Sequence, residues 1–321
     1  MGTTTETTLR IHSSGVILRR DQNELGADEI RRRFRAGELV RIARGIYIRH
    51  AERPRHEDFR LRAAAAGLIH SGAIVTGPGA AAIQGFGGLY PQKMMIDVLS
   101  PSVDGTSESG FCRLRKAKGD EATHIVDGIR VTTPAVTIME TALVHGARMG
   151  LAVVESVLWT GKCTKKELAD AYAHTARRKG RSAAKFVAET ADDRSQSVGE
   201  TLTHWCIRQA GLPEPLQQVE IFDETGAFVA KVDFFWPEFG IIVEFDGNVK
   251  LSGKYGDPET VARRQLERDT ALTNLGLRIL HVKWDEVFSG TGIRTIRGFY
   301  YHFAALRGGY LGSWRLADLR R

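Results

Sequence analysis

The chain has little cysteine, no long apolar run and, over its first 62 residues, no lysine at all. Its three cysteines, Cys112, Cys163 and Cys206, are far apart and odd in number, which argues against a disulfide framework and against a cysteine-based zinc site. No apolar stretch approaches the roughly 20 residues a membrane helix needs, so no membrane partner is expected. Met1–Thr8 is polar and threonine-rich, without the apolar core of a signal peptide, and the cytoplasm is the expected compartment. What is present is an ordinary globular composition, 42% hydrophobic and 26% charged. At 321 residues the chain exceeds one ordinary core, so two or three domains are expected.

The net charge of +7 suggests a polyanionic partner only weakly, and its distribution says more. Residues 1–62 hold 14 Arg against 9 Asp plus Glu. Arginine makes planar bidentate contacts to phosphates and guanine edges, so this segment fits nucleic acid, with double-stranded DNA the expected partner, better than a generic solvated face does. A first helix is expected over Ile17–Leu25, stopped by Gly26, and a second over Glu29–Ala36, capped by Asp28 and ended by Gly37. Leu39–Ile42 and Ile46–Arg49 are β-rich and meet at Arg44-Gly45, a turn signal. Two helices and a hairpin make a winged helix-turn-helix over 1–53. Its DNA-binding candidates are Arg31, Arg32, Arg33 and Arg35 on the second helix, with Arg41 and Arg44 on the wing.

Residues 54–194 read as a mixed α/β middle region. An alanine-rich helix is expected over Phe59–His70, strands at Met94–Leu99 and Ile129–Val131, and a helix from Thr133-Pro134 to His145. Thr76-Gly77-Pro78-Gly79 lacks the Lys-Ser/Thr of a phosphate loop and reads as a packing turn. Thr164 is a good N-cap, and Arg177–Arg181 is strongly basic. Asp192–Ser195 reads as a linker into a C-terminal domain over 195–321.

That domain begins with a helix capped by Ser197, with Glu200 as its capping-box partner. Strands follow at Gln218–Phe222, Phe228–Trp236 and Ile241–Asp246, then a helix from Pro258 to Leu275 and a strand over Leu277–Trp284. A turn centred between Glu238 and Phe239 sets Asp233 opposite Glu244, about 4.5–5.5 Å apart at Cβ. Alternation places Asp246 on the face of Glu244. Opposed carboxylates repel unless neutralised, and a divalent cation is the natural candidate.

Val232-Asp233-Phe234, Val243-Glu244-Phe245-Asp246-Gly247, Arg268-Asp269 and Leu275–Leu280 with Trp284 resemble the very-short-patch-repair endonuclease-like domain, a branch of the PD-(D/E)XK nuclease superfamily. The resemblance covers about 197–290 and implies a restriction-endonuclease-like α/β/α domain. It also implies Mg²⁺ or Mn²⁺ at Asp233, Glu244 and Asp246, with Glu200 as the leading-helix glutamate. The superfamily usually places a lysine where this chain has Asp246. Lys250 is the expected substitute, with Arg268 and Lys283 as competitors and Asp269 in support. Arg44-Gly45-Ile46-Tyr47 and Thr132-Thr133-Pro134-Ala135 make the earlier part similar to AbiEi-type antitoxins of type IV toxin–antitoxin systems. That resemblance implies winged-helix DNA binding and a cognate toxin or self-association as further partners.

The resulting expectation is an α+β chain of three parts that acts as a metal-dependent DNA endonuclease. The alternative is a non-catalytic antitoxin-type DNA-binding transcriptional regulator whose nuclease-like domain is structural. Cleavage of RNA is a third reading.

Overall fold

The computed structural model describes residues 8–70, 72–91, 93–191, 194–247, 257–306 and 308–318. The fold is mixed α and β and divides into two compact units, Met1–Thr190 and Ala191–Arg321.

The first unit opens with β1 (Ile17–Leu18), a 3-10 turn (Arg19–Asp21), α1 (Glu24–Arg35), β2 (Leu39–Ala43) and β3 (Ile46–Arg49). The three strands form a sheet in the order β1-β3-β2. The hairpin is the one expected, with Gly45 supplying the positive φ of its turn. The two helices expected before it are not both there. Ile17 and Leu18 are buried and pair with Tyr47 and Ile46, so they are strand. One helix follows, capped by the Asn23 side chain, which accepts from the Gly26 amide at 2.8 Å. Gly26 does not stop a helix. It lies buried in the first turn, where a Cβ would crowd Gln22 and Asn23. Single-residue punctuation misleads here because pairing and burial of Ile17 and Leu18 against β3 decide their conformation.

The unit continues with α2 (Arg55–Ile69), β4 (Ile74–Val75), α3 (Gly77–Ile83), β5 (Ile96–Ser100), β6 (Thr106–Ser109), β7 (Cys112–Lys116), β8 (Thr123–Val126) and β9 (Ile129–Thr132). Helices α4 (Pro134–His145), α5 (Ala147–Trp159), α6 (Lys165–Ala173) and α7 (Arg181–Thr190) close it. The strands form a mixed six-stranded sheet, β6-β7-β5-β4-β9-β8. Its core joins the alanines of α2 to Val75, Ile96, Val98 and Val131, and takes in Val16, Leu18, Ile46 and Ile48 from the segment expected as a separate domain. Gly77 to Gly79 start α3 rather than precede it, and α3 is wholly buried. Thr164 caps α6 with a full capping box through Glu167, as its sequence predicts.

The second unit comprises α8 (Val198–Gln209), β10 (Leu216–Phe222), β11 (Phe228–Trp236), β12 (Ile241–Asp246), α9 (Pro258–Asn274), β13 (Arg278–Lys283), α10 (Trp284–Ser289), α11 (Thr291–Ala304) and β14 (Ser313–Leu316). The sheet order is β13-β12-β11-β10-β14, with β12 and β13 parallel and the other neighbours antiparallel. Helices cover both faces. Leu272 of α9 packs with Phe235 and Ile242, whereas Phe234 meets His204 of α8 and Trp236 meets Tyr300 of α11. Since neighbouring strand residues point to opposite sides, α9 lies across the sheet from α8 and α11.

A candidate acidic site on the second sheet

The hairpin β11–β12 has the register its turn predicts: Phe234 pairs with Val243, Phe235 with Ile242 and Trp236 with Ile241. The ladder ends at Phe234–Val243, one step short of Asp233 and Glu244. There the Asp233 side chain takes over from backbone pairing, its Oδ2 accepting the Phe245 amide at 3.0 Å. Its Oδ1 accepts from Gln218 Nε2 at 3.1 Å, and the same nitrogen donates to Glu200 Oε2 at 3.0 Å. Gln218 therefore ties a helix carboxylate to a strand carboxylate. It holds a left-handed backbone with φ of 53° and is 2% exposed, and its Oε1 is buried with no hydrogen-bond partner among the described residues. Sequence reading gave Gln218 no role, because nothing in a Gln-Gln-Val stretch announces a strained backbone.

Ser197 caps α8 as expected, accepting the Glu200 amide at 3.2 Å. The Glu200 carboxylate reaches back to the Gln196 amide at 2.8 Å, one residue before the usual capping-box target. Gly199 lets α8 approach β12, since a Cβ there would overlap the Phe245 ring.

Electrostatically the site is unbalanced on one side and balanced on the other. Burial, then the charges of Glu200 and Glu244, push the Asp233 carboxyl up to about 7. Burial also raises Glu200. Glu244, 5% exposed, has its own counter-ion. Arg268 of α9 grips it with both terminal nitrogens, Nη1 at 2.8 Å from Oε2, and also donates from Nη2 to the Lys231 carbonyl at 2.8 Å. Burial lowers the Arg268 pKa, but hydrogen bonds and charge from Glu244 outweigh it, so the guanidinium stays charged. The repulsion expected between Asp233 and Glu244 is thus partly answered by an arginine from 24 residues along the chain.

His281 follows on β13, in parallel register beside Glu244. Its Nδ1 is 3.7 Å from Glu244 Oε2 and its Nε2 is 2.9 Å from Asp269 Oδ2. Among the described residues, one ligand atom each from Glu244, Asp269 and His281 lie within 4.8 Å of one another. Asp233 and Asp246 are not in that group. Asp246 is half-buried and in register with Lys283, which is exposed. Lys250 lies outside the described residues.

The arginines of the first unit are placed unequally. Arg31 is exposed and paired with Asp28, while Arg32 and Arg33 both bond Glu29 and hold its carboxyl at about 2. Arg33 is turned inward, its side chain 19% exposed. Arg35, Arg41 and Arg44 are exposed and meet no acidic partner among the described residues. Deeper in the unit, buried Glu140 is held below the usual carboxylate range by Arg178 and Arg115 against the opposing effect of burial.

No helix among the described residues is long and apolar enough to cross a membrane. Residues 75–189 match the AbiEi antitoxin C-terminal domain. The match contains Thr132–Ala135 and lies outside both Arg44–Tyr47 and the segment 197–290. Over 252 residues, 78% of this chain and 88% of theirs, the sequence is 29% identical to uncharacterized proteins of Mycobacterium tuberculosis strains CDC 1551 / Oshkosh and H37Rv. Thus the middle of the chain is similar to an antitoxin domain, and the acidic site lies beyond it.

Proposed function

We propose that the protein is a DNA-binding regulator of the antitoxin type, with duplex DNA and a cognate toxin as partners. The observation that carries this reading is the antitoxin-domain match over 75–189. Upstream of it in the same unit, α1 and the β2–β3 hairpin expose Arg31, Arg35, Arg41 and Arg44 for phosphate and groove contacts. Fluorescence anisotropy of the full chain on a duplex from its own upstream region, over a salt series, tests it. Each phosphate contact adds about 0.9 to the steepness of the log–log salt dependence, so replacing Arg35, Arg41 and Arg44 by Ala should both weaken and flatten it. Unchanged binding in that triple variant would remove these residues from the interface.

A second reading is favoured by the unneutralised Asp233–Glu200 pair: a metal-dependent phosphodiesterase acting on DNA, with RNA as the competing substrate. Asp233 and Glu200, bridged by Gln218 Nε2, offer carboxylate oxygens, which suit Mg²⁺ or Mn²⁺. Bound there, such an ion would lower the pKa of water and offset charge on a phosphate. Glu244 and Asp246 extend the carboxylate row and Arg268 orients Glu244; exposed Lys283, in register with Asp246, is a cation for a phosphate, with Lys250 and Arg268 the other candidates from the sequence. Plasmid and linear duplex incubated with Mg²⁺ or Mn²⁺, wild type against Asp233→Ala, decide it. Cleavage that persists in the variant, or none in the wild type, ends this reading.

A further inference from the structure

We infer that Glu244, Asp269 and His281 form a binding site for a divalent transition-metal ion of the zinc class. The inference goes beyond both functions proposed above and rests on neither. Three elements, β12, α9 and β13, deliver one ligand atom each within 4.8 Å of one another. The carboxylates are already oriented for the task. Asp269 Oδ1 is occupied by Gln265 Nε2 at 3.1 Å and Arg268 Nη1 at 3.4 Å, which leaves Oδ2 turned to the imidazole. Glu244 Oε2 lies 3.7 Å from His281 Nδ1 and also accepts from Arg268 Nη1 at 2.8 Å, while Arg268 Nη2 bonds Oε1, so both oxygens of the carboxylate are fixed in place. Such outer hydrogen bonds fix the direction in which a carboxylate offers its lone pair.

The donor set decides the class of ion. One imidazole nitrogen with two carboxylate oxygens suits zinc or manganese, whereas Mg²⁺ prefers oxygen alone and keeps much of its water. Three protein ligands leave a coordination position for water. Two carboxylates neutralise the ion's charge, and Arg268 keeps its bonds to Glu244 and to the Lys231 carbonyl. An ion bound there would replace the His281–Asp269 hydrogen bond with bonds from both side chains to the metal.

Isothermal titration of the EDTA-stripped full chain with zinc chloride is the test. One zinc per chain is expected, with binding weakened at least about tenfold in His281→Ala and in Asp269→Asn. Asp233→Asn, whose carboxylate is outside the group, should retain the stoichiometry. Zinc uptake by a wild type that does not cleave DNA removes the phosphodiesterase reading and leaves this site standing. No zinc uptake by the wild type, or wild-type affinity in His281→Ala, overturns the proposal. So does a loss in Asp233→Asn as large as that in His281→Ala. Zinc K-edge absorption of the loaded wild type covers the case of variants that do not fold. A shell with one imidazole nitrogen supports the site, and a shell of oxygen alone refutes it.

Discussion

At the scale of single residues, Asp233 carries the clearest consequence. Its folded pKa of about 7 lies above the ordinary 3.8. Between those values the folded chain keeps a proton that the unfolded chain gives up. Stability therefore falls as pH rises through that window, and the full penalty stands above about pH 7. Asp233→Asn removes the penalty while keeping an oxygen for the Phe245 amide. Its melting temperature should exceed the wild type's at pH 8 by roughly 3 °C or more, with little difference at pH 4. Scanning calorimetry at both values checks this, and an equal shift at the two would show that charge is not the cause. Arg268 predicts the opposite sign. Arg268→Ala leaves Glu244 buried without its counter-ion, and urea unfolding should show a loss of about 3 kcal/mol.

Among elements, the contact between α8 and β12 depends on Gly199. An alanine there must displace the Phe245 ring or move the helix. Gly199→Ala should cost about 1–3 kcal/mol and, by shifting the start of α8, loosen Glu200 from Gln218. The check is urea unfolding beside the pH dependence of the melting temperature. A variant as stable as the wild type would mean that the helix has room to retreat. The helix α1 makes a contrasting point. Its four arginines divide between ion pairs with Asp28 and Glu29 and open solvent because the 3.6-residue period sends them in different directions. Only position on the helix separates Arg33, turned inward, from Arg35.

For the whole molecule, the division at Thr190 is the decisive feature. The exposed arginines and the antitoxin-like segment 75–189 share the first unit, whereas every carboxylate of the acidic site belongs to the second. A fragment of residues 1–190 should therefore bind duplex DNA with the full chain's salt dependence, within about one phosphate contact in slope. Anisotropy on the same duplex measures it. A fragment that folds but loses binding would place part of the interface in residues 191–321. Asp233→Asn in the full chain should leave that salt slope unchanged, since Asp233 belongs to the second unit and the exposed arginines to the first.

Local chemistry was enough to read much of this chain. Ser197 and Thr164 are caps because a short side-chain oxygen can reach an amide in its own first turn. The turn over Pro237–Gly240 set the β11–β12 register through Phe234–Val243, one step short of Asp233 and Glu244, because a hairpin's register follows from its turn. Pro134 and the apolar period after it bounded α4. What sequence could not supply was who meets whom across elements. Ile17 and Leu18 have helical spacing, and only pairing with β3 makes them a strand. Strand β14 joins β10 from more than 90 residues away. Arg268 reaching Glu244, Gln218 joining Glu200 to Asp233, and His281 standing between two carboxylates are all long-range contacts. Charge in the sequence announced that Asp233 and Glu244 needed neutralising; only packing of α9 onto the sheet decided that an arginine would supply part of it, because Coulombic partners are chosen by distance in space and not along the chain.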